Sequence, residues 1–132
     1  MSHEVTGGCL CGQVRYRATL PTRELVVCWC SQCLRQNSGP LVSVRPAEAA
    51  EISGPVAGFR ASGFATRGFC PHCGSTLTYR HESDPEELDI TVSSLDHPER
   101  VAPAGHIWWE HHLPWGSPAA QQELPIYQRS EA

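Results

Sequence analysis

Lysine is absent from this sequence. All ten cations are arginine, set against 14 acidic side chains for a formal charge of -4, and they are scattered from Arg15 to Arg129 without a cluster. Nucleic-acid binding needs several phosphates neutralised together, and an anionic membrane surface needs a similar patch, so neither partner is expected. Long apolar runs are missing as well. The longest, Leu25 to Cys30, is six residues, far short of the roughly 20 that a membrane span needs. Met1-Ser2-His3-Glu4 has no basic head leading into an apolar stretch, as a secretory signal would. The expectation is a cytoplasmic protein, in which thiols stay reduced and a disulfide framework does not form. Isolated cysteines are missing too, and none follows Cys73.

What remains is a chain of 132 residues with seven cysteines and 22 glycines and prolines. The length suits a single domain over 1–132, large enough to build a core without covalent staples. No linker or low-complexity block divides it, and only the polar tail from Gln128 to Ala132 is expected to fray. Abundant glycine and proline favour short elements and many turns, hence an all-β or β-dominated fold. Gln13–Ala18 alternates with period two, as a half-buried strand does, and Glu24–Cys30 reads as a more apolar strand. Further strands are expected at Leu41–Val44, Phe64–Phe69, Ser75–Arg80, Leu88–Ser93 and His106–Trp109. Pro46–Glu51 is the one stretch that looks helical, with proline at its start.

Six cysteines form the pairs Cys9-x-Cys11, Cys30-x2-Cys33 and Cys70-x2-Cys73, and Cys28 precedes Cys30 by two. Residues i and i+2 of a strand share a face, which would project Cys9 with Cys11 and Cys28 with Cys30, Trp29 facing away. A disulfide between such positions would have to span about 6.7 Å of extended backbone, at the edge of what its geometry permits. A metal ion about 2.3 Å from each sulfur fits better. Cys70-Pro71-His72-Cys73-Gly74 is the sharpest signal, since two thiolates three apart can chelate one ion across a tight turn that the glycine allows. His72 is expected to be exposed there.

Seven divides as four plus three. Cys28, Cys30 and Cys33 lie within six residues and can share one ion, leaving Cys9, Cys11, Cys70 and Cys73 for another. Four thiolates close a tetrahedral site and three leave a position open. Spacing also permits a single site of Cys30, Cys33, Cys70 and Cys73, with Cys28 buried in a strand and Cys9-Cys11 idle.

Several motifs in order then resemble the glutathione-dependent formaldehyde-activating enzyme family. They are Gly7-Gly8-Cys9-Leu10-Cys11-Gly12 with Val14-Arg15-Tyr16; Cys28-Trp29-Cys30-Ser31-Gln32-Cys33; Phe69-Cys70-Pro71-His72-Cys73-Gly74; Ser94-Leu95-Asp96; and His106-Ile107-Trp108 with Pro114-Trp115. The resemblance covers nearly the whole chain. It implies a small zinc-containing β-tent fold with two zinc ions, a structural one on Cys9, Cys11, Cys70 and Cys73 and a catalytic one on Cys28, Cys30 and Cys33. The family's middle motif commonly reads Cys-His-Cys followed directly by arginine. Here Trp29 replaces the histidine and Leu34 stands at the arginine position, with Arg35 one place later.

The implied reaction joins formaldehyde to the sulfur of glutathione as a carbon–sulfur lyase or synthase, the open zinc lowering the thiol's pKa and holding it beside the aldehyde. With all seven cysteines as thiolates on two zincs, the charge would move from -4 to -7. Arg35 is the cation nearest the open site in sequence and a candidate for a substrate carboxylate, or else a solvated side chain. His106 to Trp115 holds three tryptophans and three histidines. Within it His106 and Trp108 are candidates to wall a substrate pocket, and His106 or His111 to complete the second zinc, against ordinary aromatic packing. Two other functions compete: a non-catalytic zinc module for a protein partner, and an enzyme acting on another thiol or aldehyde. A B-type methionine sulfoxide reductase would need a redox cysteine near the C-terminus, which is missing.

Overall fold

A computed structural model describes residues 3–44, 50–116 and 124–129. Ten strands and one α-helix follow in the order β1 (His3–Gly8), β2 (Arg15–Leu20), β3 (Glu24–Cys28), α1 (Ser31–Asn37), β4 (Leu41–Val44), β5 (Glu51–Ser53), β6 (Ala57–Arg60), β7 (Ala65–Phe69), β8 (Thr76–His81), β9 (Asp89–Thr91) and β10 (Ala102–Ile107). The domain is small, single and β-dominated, as composition and resemblance implied. Among the described residues no helix is long and apolar enough to cross a membrane.

Two sheets share one core. The smaller has the order β1-β2-β5, the larger β10-β3-β4-β9-β8-β7-β6, and every pairing is antiparallel except β10 with β3. The period-two pattern puts Tyr16, Ala18 and Leu20 on one face of β2. They meet Leu25, Val44 and Ile90 of the larger sheet, with Val92 and Leu95 beyond it. Leu20 and Ile90 are essentially water-free, and burying each stabilises the fold by about 1.5–3 kcal/mol. A bridge between Gly7 and Leu95 and the hydrogen bond of Tyr16 Oη with Ser94 Oγ (2.6 Å) tie the sheets at one end.

The structure corrects several local expectations. The strand expected through Cys30 ends at Cys28, and Cys30 instead caps a helix that the sequence did not suggest. Cys9 and Cys11 lie in the turn after β1, not on a strand. The segment expected over Leu88–Ser93 is a three-residue strand passing into a 3-10 turn at Val92–Ser94. The last strand comes earlier than expected, and Trp108 follows it in the left-handed region with φ 56°. Strands β1, β5 and β6 had no clear sequence signal. The helix expected over Pro46–Glu51 falls largely outside the described residues, with Glu51 opening β5. The end of the tail, 130–132, also lies outside them.

Candidate functional site

Two turns far apart in sequence meet at the first thiol cluster. After β1 the chain reverses at Cys9–Gly12, closed by the Gly12 amide donating to the Cys9 carbonyl (3.2 Å). After β7 it reverses at Cys70–Gly74, closed by the Gly74 amide donating to the Cys70 carbonyl (2.8 Å). Gly12 and Gly74 sit at φ 83° and 77°, where a side chain would be strained. The Sγ atoms of Cys9, Cys11, Cys70 and Cys73 all lie within 4.8 Å of one another. Cys9–Cys11 and Cys11–Cys70 are 3.6 and 3.8 Å apart. Four sulfurs held tetrahedrally about 2.3 Å from one ion stand roughly 3.8 Å apart, whereas a disulfide needs about 2.05 Å. The donor set and its spacing therefore suit a metal ion. The Val14 amide donates to Cys9 Sγ (3.2 Å). Cys73 Sγ lies 3.2 Å from Ser75 Oγ, and the hydroxyl and amide of Ser75 lead in drawing the Cys73 thiol down to about 5.

The second cluster forms at the β3–α1 junction. Cys28 ends the strand, Cys30 is the helix N-cap, and Cys33 is the third helical residue. Cys30 Sγ accepts the Cys33 amide at 3.4 Å, the role a serine or aspartate oxygen usually fills at this position. Capping geometry thus folds C-x2-C into a chelate, and the three Sγ atoms lie within 4.8 Å of one another. The hydrogen bond between the Cys28 and Cys33 thiols splits the pair, lowering Cys33 to about 5 and raising Cys28. Arg67 reinforces the thiolate at Cys33, donating from Nη1 (3.5 Å) and Nη2 (3.4 Å). These three cysteines could hold an ion through a set that leaves a tetrahedral position free.

The three thiols face a cleft of about 620 Å³ lined by Cys28, Cys30, Cys33, Arg67, Tyr79 and Trp108, among others. Burial raises the Tyr79 phenol above its ordinary value. Trp108 stands in the cleft wall as a half-exposed ring. His106 is exposed, and its Nδ1 accepts from the Trp29 indole (2.9 Å). Neither His106 nor His111 joins the three sulfurs. Arg35 is exposed on α1 and does not line the cleft. Trp29 is buried against His106, Trp109 and His112 rather than lining the cleft. His72 is exposed, as expected.

Arg67 is the residue that sequence reasoning missed. Its signal was faint: an arginine on the inward face of β7, two positions after the buried Ala65.

Fold and clusters together define a small β domain that gathers seven thiols into two sets, each able to hold a metal ion. The glutathione-dependent formaldehyde-activating enzyme family matches residues 4–111, a span that includes all seven cysteines, and the chain belongs to that family. An uncharacterized lyase of Schizosaccharomyces pombe is 30% identical over 80 residues, which are 59% of this chain and 58% of that protein. The alignment thus spans little more than half of the curated relative's length. A crystal structure of a Rhodobacter sphaeroides protein shares the fold with a TM-score of 0.63 at 21% identity, over 76% of this chain and 98% of that one.

Proposed function

We propose that this chain is a zinc-dependent carbon–sulfur lyase or synthase acting on the adduct of a small thiol, glutathione in the first instance, with formaldehyde. Cys9, Cys11, Cys70 and Cys73 hold a structural zinc in this reading, and Cys28, Cys30 and Cys33 an open catalytic one. The observation that carries it is the convergence of exactly three thiols on the wall of a substrate-sized cleft. Family membership and a lyase among the relatives support it. A zinc ion on three thiolates supplies a soft fourth position suited to a substrate thiolate.

The chain's own residues do the rest. The cleft holds thiol and aldehyde together, so that a sulfur–carbon bond forms and the thiol's proton passes to the former carbonyl oxygen; the reverse step breaks that bond and returns the proton to sulfur. Ser43, Tyr79 and His81 also line the cleft and bring polar groups to it. Because thiols add readily to formaldehyde unaided, positioning is the main contribution asked of the protein. The reduced cytoplasm, rich in glutathione, is the setting that fits.

A second reading, another thiol or aldehyde at the same site, has one observation in its favour. Among the described residues Arg67 is the only arginine lining the cleft, and it is engaged with sulfur, while Arg35 lies off the cleft. Among the described residues the carboxylates of glutathione therefore find no free guanidinium in the cleft lining.

The test is exchange between formaldehyde, thiol and adduct, followed by NMR at equal total zinc. Wild-type protein is expected to speed exchange and Cys33→Ser to return it to the uncatalysed rate. Acceleration with a neutral thiol but not glutathione would select the second reading. Unchanged exchange with every thiol would overturn the enzymatic reading in favour of a zinc module.

A further inference from the structure

Arg67 is only 3% exposed. A buried arginine is rare unless an anion accompanies it, because removing the charge from water is costly. Among the described residues its hydrogen bonds reach Cys33 Sγ twice (3.5 and 3.4 Å), Cys30 Sγ (4.0 Å) and Gln36 Oε1 (3.0 Å), and no carboxylate. The guanidinium also lies over the Tyr79 ring, 5.1 Å from its centroid. The anions this cation answers are therefore the cysteine sulfurs. Its Nε is buried without a partner, the one such side-chain atom among the described residues. Keeping an arginine where a donor goes unsatisfied points to a demand made by the site rather than by the fold.

The two thiol clusters differ on this point. The four-cysteine set is met by the Val14 amide and the Ser75 hydroxyl, and the hydrogen bonds of its sulfurs among the described residues include no guanidinium. The three-cysteine set has two N–H groups of one cation straddling Cys33. Three thiolates on a divalent ion carry -1, and a fourth from a substrate would carry the site to -2 beside buried, weakly screening surroundings. A fixed guanidinium offsets that last charge, and its planar fork fixes where Cys33 and Cys30 point.

We propose that Arg67 is a positioning residue of the open site, held by Gln36 and Tyr79, whose charge and fork allow a substrate thiolate to join Cys28, Cys30 and Cys33. This rests on the reading that these three cysteines hold a metal.

The experiment loads the full chain with cobalt(II) and titrates it with 2-mercaptoethanol, reading the sulfur-to-cobalt charge-transfer bands. Wild type is expected to hold two cobalt ions and to bind the thiol at one of them. Arg67→Gln should keep both ions but bind the thiol at least about tenfold more weakly, the scale of one charge-assisted hydrogen bond. Arg67→Lys, which retains the charge and loses the fork, should fall between. Gln36→Ala alters only an exposed helix residue that steadies Nη1 and leaves the core intact. It should weaken thiol binding about two- to threefold, because the guanidinium loses one support while keeping its charge and its bonds to sulfur, and it carries the test if Arg67 variants do not fold. Thiol affinity within error of wild type in the folded variants, at full cobalt loading, overturns the role of Arg67. A single cobalt in wild type overturns instead the two-site reading on which it rests.

Discussion

Asp96 accepts two hydrogen bonds from the Arg15 guanidinium, at 2.9 and 2.5 Å, and one from the Thr6 hydroxyl at 2.7 Å. These contacts, the Arg15 bonds first, pull its carboxyl down to about 2. A carboxylate whose folded pKa lies below the usual ~3.9 stabilises the fold fully above that value and loses the contribution as pH falls through the folded one. Asp96→Asn should therefore be less stable than wild type by a constant margin above about pH 4, with the gap closing towards pH 2. Urea midpoints of the two proteins across that range measure it; acid stripping of metal acts on both alike, so their difference isolates Asp96. A gap that widens in acid would reverse the assignment. The contact also explains why Val14-Arg15-Tyr16 and Ser94-Leu95-Asp96 stood out as motifs in one sequence. Arg15 meets Asp96 and Tyr16 meets Ser94, so the two form one fastening between the sheets. Arg67 had no such partner motif, and only its place beside Cys33 in space makes it visible.

At the scale of elements, β2 was legible because three inward side chains alternate with polar ones. Helix α1 was not, because its seven residues are too few to show an apolar period and its cap is a thiol, not one of the usual oxygen side chains. The three cysteines therefore read as a strand with same-face thiols, whereas a strand end, a cap and a first helical turn bring them together. This junction makes Cys30 the helix cap as well as a proposed ligand, and substitution can separate the two. Cys30→Ser keeps a capping oxygen and Cys30→Ala does not, a difference of about 1 kcal/mol in helix stability. Amide hydrogen exchange at Cys33 is expected to be about fivefold faster in Cys30→Ala than in Cys30→Ser, while both lose the same thiol. Equal rates would show that the sulfur does not cap the helix.

For the molecule as a whole, the two clusters divide the work of seven cysteines. The first joins the turn after β1 to the turn after β7, positions 59 residues apart at Cys11 and Cys70, so that an ion held there, as proposed, would staple the fold. The second lies within one junction and lines the cleft, which is where the proposed function puts the chemistry. Counting had suggested this division but left a mixed site of Cys30, Cys33, Cys70 and Cys73 open; the geometry keeps those two pairs in separate clusters. The cleft's cation, Arg67, and the aromatic partners of Trp29 could not be read in advance, since both depend on segments distant in sequence. Metal content of the freshly purified full chain tests the division most directly. The account predicts two zincs in wild type, one in Cys28→Ser with the fold retained, and loss of the folded state in Cys70→Ser. One zinc per chain in wild type, unchanged in Cys28→Ser, would contradict it.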